Sequence, residues 1–472
     1  MQPSAKNLKT GIAHIGVGNF HRAHQAYYVH QYGQQTSDKA WGICGIALLE
    51  NDRPIIDALK RQQGTYTLTT FDEKGQTEST RIESIVELLF APDESESVIE
   101  KLSSPDVKIV TLTITEAGYN IDLATGGFKS DSPHIQHDVQ HPDQPRTVFG
   151  YLTAALERRF QNGVAPFTVL SCDNFPHNGD AARTAFVSFA ALRNPTLAAQ
   201  IAESVSFPNS MVDRITPSVS PAQKGRLNEL AGWADEVPVF SEPFIQWVVE
   251  DRFGNGRPAL ERVGVQFTDD VSAYEAIKLR LLNASHSMLA YPAFLAGYTT
   301  VDEAIGDPVL HDFIQKFMDE DVTPILNVLT TIDLADYKAT LLRRFANKSI
   351  GDQLARLCFD GASKLPIYVL PTLNERMARN LPYQRIAFLI AAYGHYLSAD
   401  HTERGDSYTV AEPQLDAQAL ATGKNADRSA FLNLSLFNST SVRNSLEFIR
   451  LYTQFRADIV SDGILKTLKK IG

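Results

Sequence analysis

Cysteine is scarce: the 472 residues hold three, Cys44, Cys172 and Cys358. They lie too far apart for a CxxC pair or a zinc knuckle, and an odd number fits no disulfide framework, so a reducing compartment is expected. Long apolar runs are missing as well. The best, "IAFLIAAY" from Ile386 to Tyr393, is much too short to span a bilayer. The start "MQPSAKNLKT" has no apolar signal-peptide core, so the expectation is a cytoplasmic protein with no membrane partner. Basic runs interleaved with aromatics are absent, and 44 Lys+Arg against 55 Asp+Glu give a formal charge of -11. That balance argues against nucleic acid as a partner. The short basic end "LKTLKKIG" suits the last turn of a helix, where the dipole favours cations. No fixed-period repeat, low-complexity tract or apolar heptad seam is found.

What remains is ordinary globular composition, 43% hydrophobic and 21% charged, in a chain long enough for two hydrophobic cores. In the first half, short β-rich runs alternate with amphipathic ones. "GIAHIGVG" is followed by a helical stretch from Phe20 to Gln34, then "WGICGIALL", then a helical stretch from Pro54 to Gln62. Further buried-strand candidates are "DVKIVTLTI" (106–114), "FTVLSCD" (167–173) and "ESVSF" (203–207). This βαβα pattern predicts a mainly parallel sheet covered by helices. Residues 66–90 read as a hairpin or meander around a Lys-Gly turn at the sheet's edge. Residues 120–146, rich in Asp, His, Gly and Pro, read as a long surface excursion. From Val271 the pattern becomes helical, which places a boundary near residue 270. The predicted class is therefore α/β, with a Rossmann-type domain over 1–270 and a mainly α-helical domain over 271–472.

In "HIGVGNFHRAH" an apolar run ends in Gly16-x-Gly18, and Asn19, a residue suited to capping, precedes the helical stretch. Such glycines permit a tight turn and let a pyrophosphate approach the backbone at a helix N-terminus. The third glycine of the fingerprint is missing, and His21 stands in its place. An acid is wanted after the second strand for the ribose hydroxyls, and "ALLENDR" offers Glu50 and Asp52. Either favours NAD over NADP. His21 and His24, three apart, have no third ligand in helical register, so no metal site is expected.

"YEAIKLRLLNASHSMLAY" carries four polar side chains in one helical pattern. At about 100° per residue, with Lys278 at zero, Glu275 falls near ~60°, His286 near ~80° and Asn283 near ~140°. On an otherwise apolar helix this cluster reads either as structural or as catalytic. Chemistry separates the two: oxidising a secondary alcohol by hydride transfer needs a base for the hydroxyl proton, and a lysine desolvated by apolar neighbours can serve. Asparagine amides are neutral donors for the developing alkoxide. A second asparagine, Asn174 in "SCDNFPHNG", follows a predicted strand at its carboxyl end, where doubly wound sheets bind ligands.

The ordered set "GVGNFHRAH", "TITEAGY", "SCDNFPHNG", "MVDRITP" and "KLRLLNASHS" resembles the polyol-specific long-chain dehydrogenases and reductases, the mannitol dehydrogenase family, from residue 10 to beyond 370. The resemblance implies metal-independent, reversible oxidation of a polyol at C2 to a ketose with NAD, D-mannitol to D-fructose foremost. Reduction of a hexuronate or oxidation of D-arabinitol are the alternatives. It also implies cofactor contacts at Gly16, Gly18, Asn19, Phe20 and Asp52, the last in preference to Glu50. Lys278 becomes the general base, Asn174 and Asn283 the oxyanion hole, His286 the group that orients substrate and Glu275 a proton exchanger with solvent. Asp213, Arg356 and Lys364 become substrate contacts, and the resemblance leans toward a monomer. Asn51, uncharged beside Asp52, leaves room for some NADP tolerance.

Overall fold

The computed structural model describes residues 8–122, 126–327, 332–425 and 427–471. The chain divides into two compact units: Met1–Asp72 with Gln76–Ser272, and Ala273–Gly472 with Glu73–Gly75.

The first unit carries the strands β1 (Thr10–Ile15), β2 (Gly42–Ala47), β3 (Tyr66–Phe71), β4 (Thr77–Ile82), β5 (Ile85–Phe90), β6 (Ile109–Leu112), β7 (Thr168–Ser171), β8 (Ser210–Asp213), β9 (Val239–Ser241), β10 (Gln246–Glu250) and β11 (Gln266–Thr268). Five of them form a parallel sheet in the order β5-β2-β1-β6-β7. In sequence terms this is 3-2-1-4-5, the order of a doubly wound dinucleotide fold, whose chain direction across the sheet reverses between β1 and β6. Successive side chains point to opposite faces. Ala13, Ile15, Cys44, Ile46, Val110 and Leu112 therefore feed one core, and Ile12, Ile43, Ala47 and Ile109 the other. Burial on both faces is why these strands read as continuous apolar runs.

The run from 66 to 90 divides differently from its expected place at the sheet's edge. β3 and β4 do form the hairpin, but they pair with β9 in a separate three-stranded sheet, while β5 returns as the parallel sheet's edge strand. "ESVSF" is not a strand. Asn194 caps a helix from Pro195 to Ser204, accepting from the backbone of Thr196 and Leu197, and the strand begins only at Ser210. The excursion over 120–146 contains a helix, Pro133–Gln140. Its fully buried Asp138 accepts from the backbone N–H groups of Arg146 and Thr147 and from the Thr147 hydroxyl. Residues 123–125 of that stretch lie outside the described residues.

In the second unit the described residues form helices and turns, with only isolated β-bridges. At its centre runs Gln384–Ser398, packed by Leu446–Asp462 and by Ala284–Leu295. Its run from Ile386 to Tyr393 is buried on every side, as expected of a helix that is apolar all round within a core. Among the described residues no helix is long and apolar enough to cross a membrane.

Candidate active site

The glycine turn sits at the carboxyl end of β1, beside the point where the sheet order reverses. Gly16 adopts φ +101°, and a Cβ there would lie 2.1 Å from the carbonyl oxygen of Thr113. Its N–H donates to Ile46 O (3.1 Å), and the Gly18 N–H donates to Gly16 O (2.8 Å). Around Gly18 no heavy atom lies within 4 Å of an ideal Cβ, which leaves the room a pyrophosphate needs against the backbone. The helix cap is Gly18 rather than Asn19. Asn19 is the first helical residue, and its side chain instead accepts from Arg22 Nη2 (2.6 Å). The Phe20 ring stacks on His24, centroids 4.9 Å apart.

His21 occupies the missing glycine's place by stacking on His14, ring centroids 3.3 Å apart and nearly parallel. His14 points from β1 toward that helix. Its Nδ1 lies 2.8 Å from Thr111 Oγ1 and its Nε2 2.9 Å from Gly16 O. Burial drives the His14 pKa down to about 3 and that of His21 well below the usual imidazole range. Both rings are neutral at ordinary pH, so the turn rests on an uncharged stacked pair. Arg22 and His24 are used in packing: the Arg22 Nη1 donates to Val237 O, and His24 Nε2 lies 2.8 Å from Gln246 O. Among the described residues no group of three or more His, Cys, Asp or Glu side chains could hold a metal ion.

After β2 the chain makes a 3-10 turn, Glu50–Asp52. Glu50 is bound by Arg53, whose guanidinium also reaches Asp93 (2.7 Å). Asp52 is partly buried, and that burial raises its carboxyl pKa.

Asn174 follows β7 by three residues. Beside it, Asp173 accepts from the N–H groups of Ile114 (3.1 Å) and Thr115 (2.9 Å) and from the Tyr119 hydroxyl (2.7 Å). Burial pushes its carboxyl up to about 6 against the pull of those bonds. Asp213 ends β8, buried, and β8 is tied to β7 where the Ser210 hydroxyl donates to Ser171 O (2.6 Å).

In the second unit the lysine helix is not uniform. An α-helical turn, Ser272–Ile277, passes into a π-helical stretch, Lys278–Asn283, before the α-helix Ala284–Leu295. A π turn accommodates roughly one extra residue, which turns everything beyond it back by about 100°. Asn283 then falls near ~40° and His286 near about -20°, so the four polar side chains span ~80° rather than ~140°. Glu275, Lys278 and Asn283 are buried, and Asn283 Oδ1 has no hydrogen-bond partner among the described residues. The His286 ring stacks on Phe345, centroids 4.4 Å apart. Helix Leu354–Cys358, carrying Arg356, packs on Ala284–Leu295; helix Gly361–Tyr368, carrying Lys364, packs on the π stretch. Arg356 is held by both oxygens of Asp352 (2.8 and 2.6 Å). Lys364 donates to Leu357 O (3.2 Å), and burial lowers its pKa.

Sequence reasoning missed the Asp173 carboxylate with its donors Thr115 and Tyr119, one residue before Asn174 in the chain, and Glu412, which accepts from the N–H groups of Gly361 (2.8 Å) and Ala362 (3.0 Å) at the head of the Lys364 helix. A carboxylate beside Asn174 was visible in "SCDN", but its partners come from a distant strand end.

A 3-2-1-4-5 parallel sheet with a two-glycine turn at its reversal point, followed by a helical unit, defines a Rossmann-type protein with a helical second domain. The model of the mannitol dehydrogenase Rossmann domain matches residues 10–262, and that of the mannitol dehydrogenase C-terminal domain matches residues 270–452. The chain belongs to the mannitol dehydrogenase family. It is 44% identical over 471 residues to a mannitol 2-dehydrogenase of Aspergillus fumigatus, covering 98% of this chain and 93% of the relative. Among solved structures it resembles Pseudomonas fluorescens mannitol 2-dehydrogenase in ternary complex with NAD and D-mannitol. That match has a TM-score of 0.93, 45% identity, and covers 100% of this chain and 96% of the other. A substrate-free D-sorbitol dehydrogenase is also similar, with a TM-score of 0.89, 38% identity, and coverage of 99% and 96%.

Proposed function

We propose that this protein oxidises a polyol at C2 with NAD, taking D-mannitol to D-fructose and running in both directions. The observation that carries the reading is the match, at 45% identity over the whole chain, to a relative whose complex holds NAD and D-mannitol. Residues 1–270 then serve as the dinucleotide-binding domain and 271–472 as the substrate-binding and catalytic domain. The turn Gly16–Phe20 receives the pyrophosphate, and Asp52 the ribose hydroxyls, since Glu50 is already engaged by Arg53. NAD supplies the hydride acceptor. Lys278 takes the substrate's hydroxyl proton, Asn174 and Asn283 donate hydrogen bonds to the alkoxide as its charge develops, and His286 orients the reacting hydroxyl. Glu275, one helical turn before Lys278, passes the proton on to solvent. Asp213, Arg356 and Lys364 contact the substrate's other hydroxyls. The bidentate hold of Asp352 on Arg356 commits that cation, while Lys364, which donates to a backbone carbonyl, suits a polyol hydroxyl or a hexuronate carboxylate alike.

The test is NADH formation with D-mannitol, D-sorbitol and D-arabinitol, and NADH consumption with D-fructose, fructuronate and tagaturonate. Mannitol and fructose are expected to be turned over best; activity confined to a uronate overturns the reading. Lys278→Ala should lower kcat by about 10²–10⁴-fold, the usual worth of a general base, with NADH binding measured by fluorescence near that of the wild type. Undiminished turnover removes the lysine mechanism.

A further inference from the structure

We propose that Asp173 is a positioning residue that clamps the loop after β6 to the loop after β7 and thereby fixes the amide of Asn174. The inference rests on the reading of Asn174 given above and names the device that aims it.

Three donors converge on the two carboxylate oxygens of Asp173. Oδ1 takes the Thr115 N–H (2.9 Å), while Oδ2 takes the Ile114 N–H (3.1 Å) and the Tyr119 hydroxyl (2.7 Å). The Tyr119 oxygen also lies 2.6 Å from Ser171 Oγ, on the strand that leads into Asp173. On the other side the backbone of Asp173 is held too. Asn178, fully buried, donates from Nδ2 to Asp173 O (2.9 Å) and to Ser210 O (2.8 Å), and accepts from the Ser210 N–H (2.9 Å). The residue immediately before Asn174 is thus pinned through both side chain and main chain.

The β6 loop is held at both ends of its short path. Thr113 Oγ1 donates to Gly16 O (2.7 Å) at the glycine turn, and Thr115, two residues on, is bound by Asp173. At the second of these ends the backbone is forced. Thr115 has φ +64°, a conformation that a β-branched residue rarely adopts. Such strain persists only where surrounding contacts impose it, and it concentrates at functional sites. Here the imposing contact is the Asp173 carboxylate, and the result is a continuous link from the dinucleotide turn to Asn174. Ionised, Asp173 is all acceptor and matches three donors. An asparagine in its place turns an N–H₂ toward one of them at nearly unchanged volume.

A double-mutant cycle tests the clamp. Asp173→Asn should lower kcat for polyol oxidation by ~10²-fold, the effect of displacing a catalytic group by about an ångström, while the NADH dissociation constant stays within about threefold. In an Asn174→Ala background the same change should cost no more than about threefold, because a residue that only aims Asn174 has nothing left to aim. Tyr119→Phe keeps the ring and removes one donor. It should show a smaller loss that collapses in the same background, and it carries the test if the Asp173 variant does not fold. Equal losses with and without Asn174, or an unchanged kcat in Asp173→Asn, overturn the clamp alone. Absence of turnover with every polyol overturns the functional reading, and the clamp with it, and is seen already in the unmutated protein.

Discussion

Gly16 and Gly18, two residues apart, are glycines for different reasons. Gly16 is needed by the fold: its φ of +101° and the Thr113 carbonyl 2.1 Å from any Cβ leave no place for a side chain. Gly18 has ordinary extended dihedrals, φ -80° and ψ -175°, and open space around it. On the functional reading that space belongs to the cofactor. Gly16→Ala should destabilise the first unit by about 1–3 kcal/mol, the scale of a strained backbone residue, read from urea unfolding. Gly18→Ala should unfold like the wild type yet raise the KM for NAD about tenfold, roughly 1.4 kcal/mol of lost binding. If Gly18→Ala leaves that KM unmoved, the pyrophosphate does not approach the turn as described. The neighbouring histidines follow the same division. His21 fills the volume a third glycine would leave open by lying flat on His14, a solution in aromatic stacking that no glycine fingerprint encodes.

At the scale of elements, the strands were legible because both faces of a parallel sheet are buried, so "GIAHI", "GICGIA" and "TVLS" stand out as apolar runs with sharp turns after them. The hairpin was legible from its turn. "ESVSF" misled because a five-residue alternation carries little weight against a capped, proline-started helix running into it. The register of the lysine helix was not legible at all, since a π turn is a choice of hydrogen-bond partner that hydrophobic periodicity does not announce. Nor was the support of the Lys364 helix, which comes from Glu412 far along the chain. Gly361 at its head lies so close to Tyr291 and Glu412 that a Cβ would meet them at 2.0 and 2.9 Å. The helix therefore sits where Glu412 holds its first N–H groups, and Asp360 enters it with φ +57°. Glu412→Ala removes both bonds and should cost about 0.5–2 kcal/mol, as for loss of a helix cap, while raising the KM for polyol and leaving that for NAD unchanged. An equal rise in both would show that the change has spread beyond this helix.

For the whole molecule, each unit encloses histidines that burial keeps neutral: His14, with a pKa near 3, in the first and His395, at about 4, in the second. In the unfolded chain each returns to its ordinary value of about 6.5. Their folded values lie below the unfolded ones, so the unfolded chain binds more protons as the pH falls. Their contribution to stability is complete above pH ~6.5 and is lost progressively toward the folded pKa, at up to about 1.4 kcal/mol per pH unit for each residue. Asp173 acts in the opposite sense, because its folded pKa of about 6 is raised and the folded form takes the proton first. Total slopes thus mix both signs, and the informative quantity is a difference between variants. Urea unfolding at pH 7.5, 6.5 and 5.5 should give a free energy that falls less steeply with acid in His395→Gln than in the unmutated protein. The two curves should converge as the pH drops, because the variant no longer has that histidine to protonate on unfolding. Parallel curves would mean that the half-buried imidazole of His395 takes up its proton in the folded protein at the same pH as in the unfolded chain, and that its surroundings do not disfavour the charge.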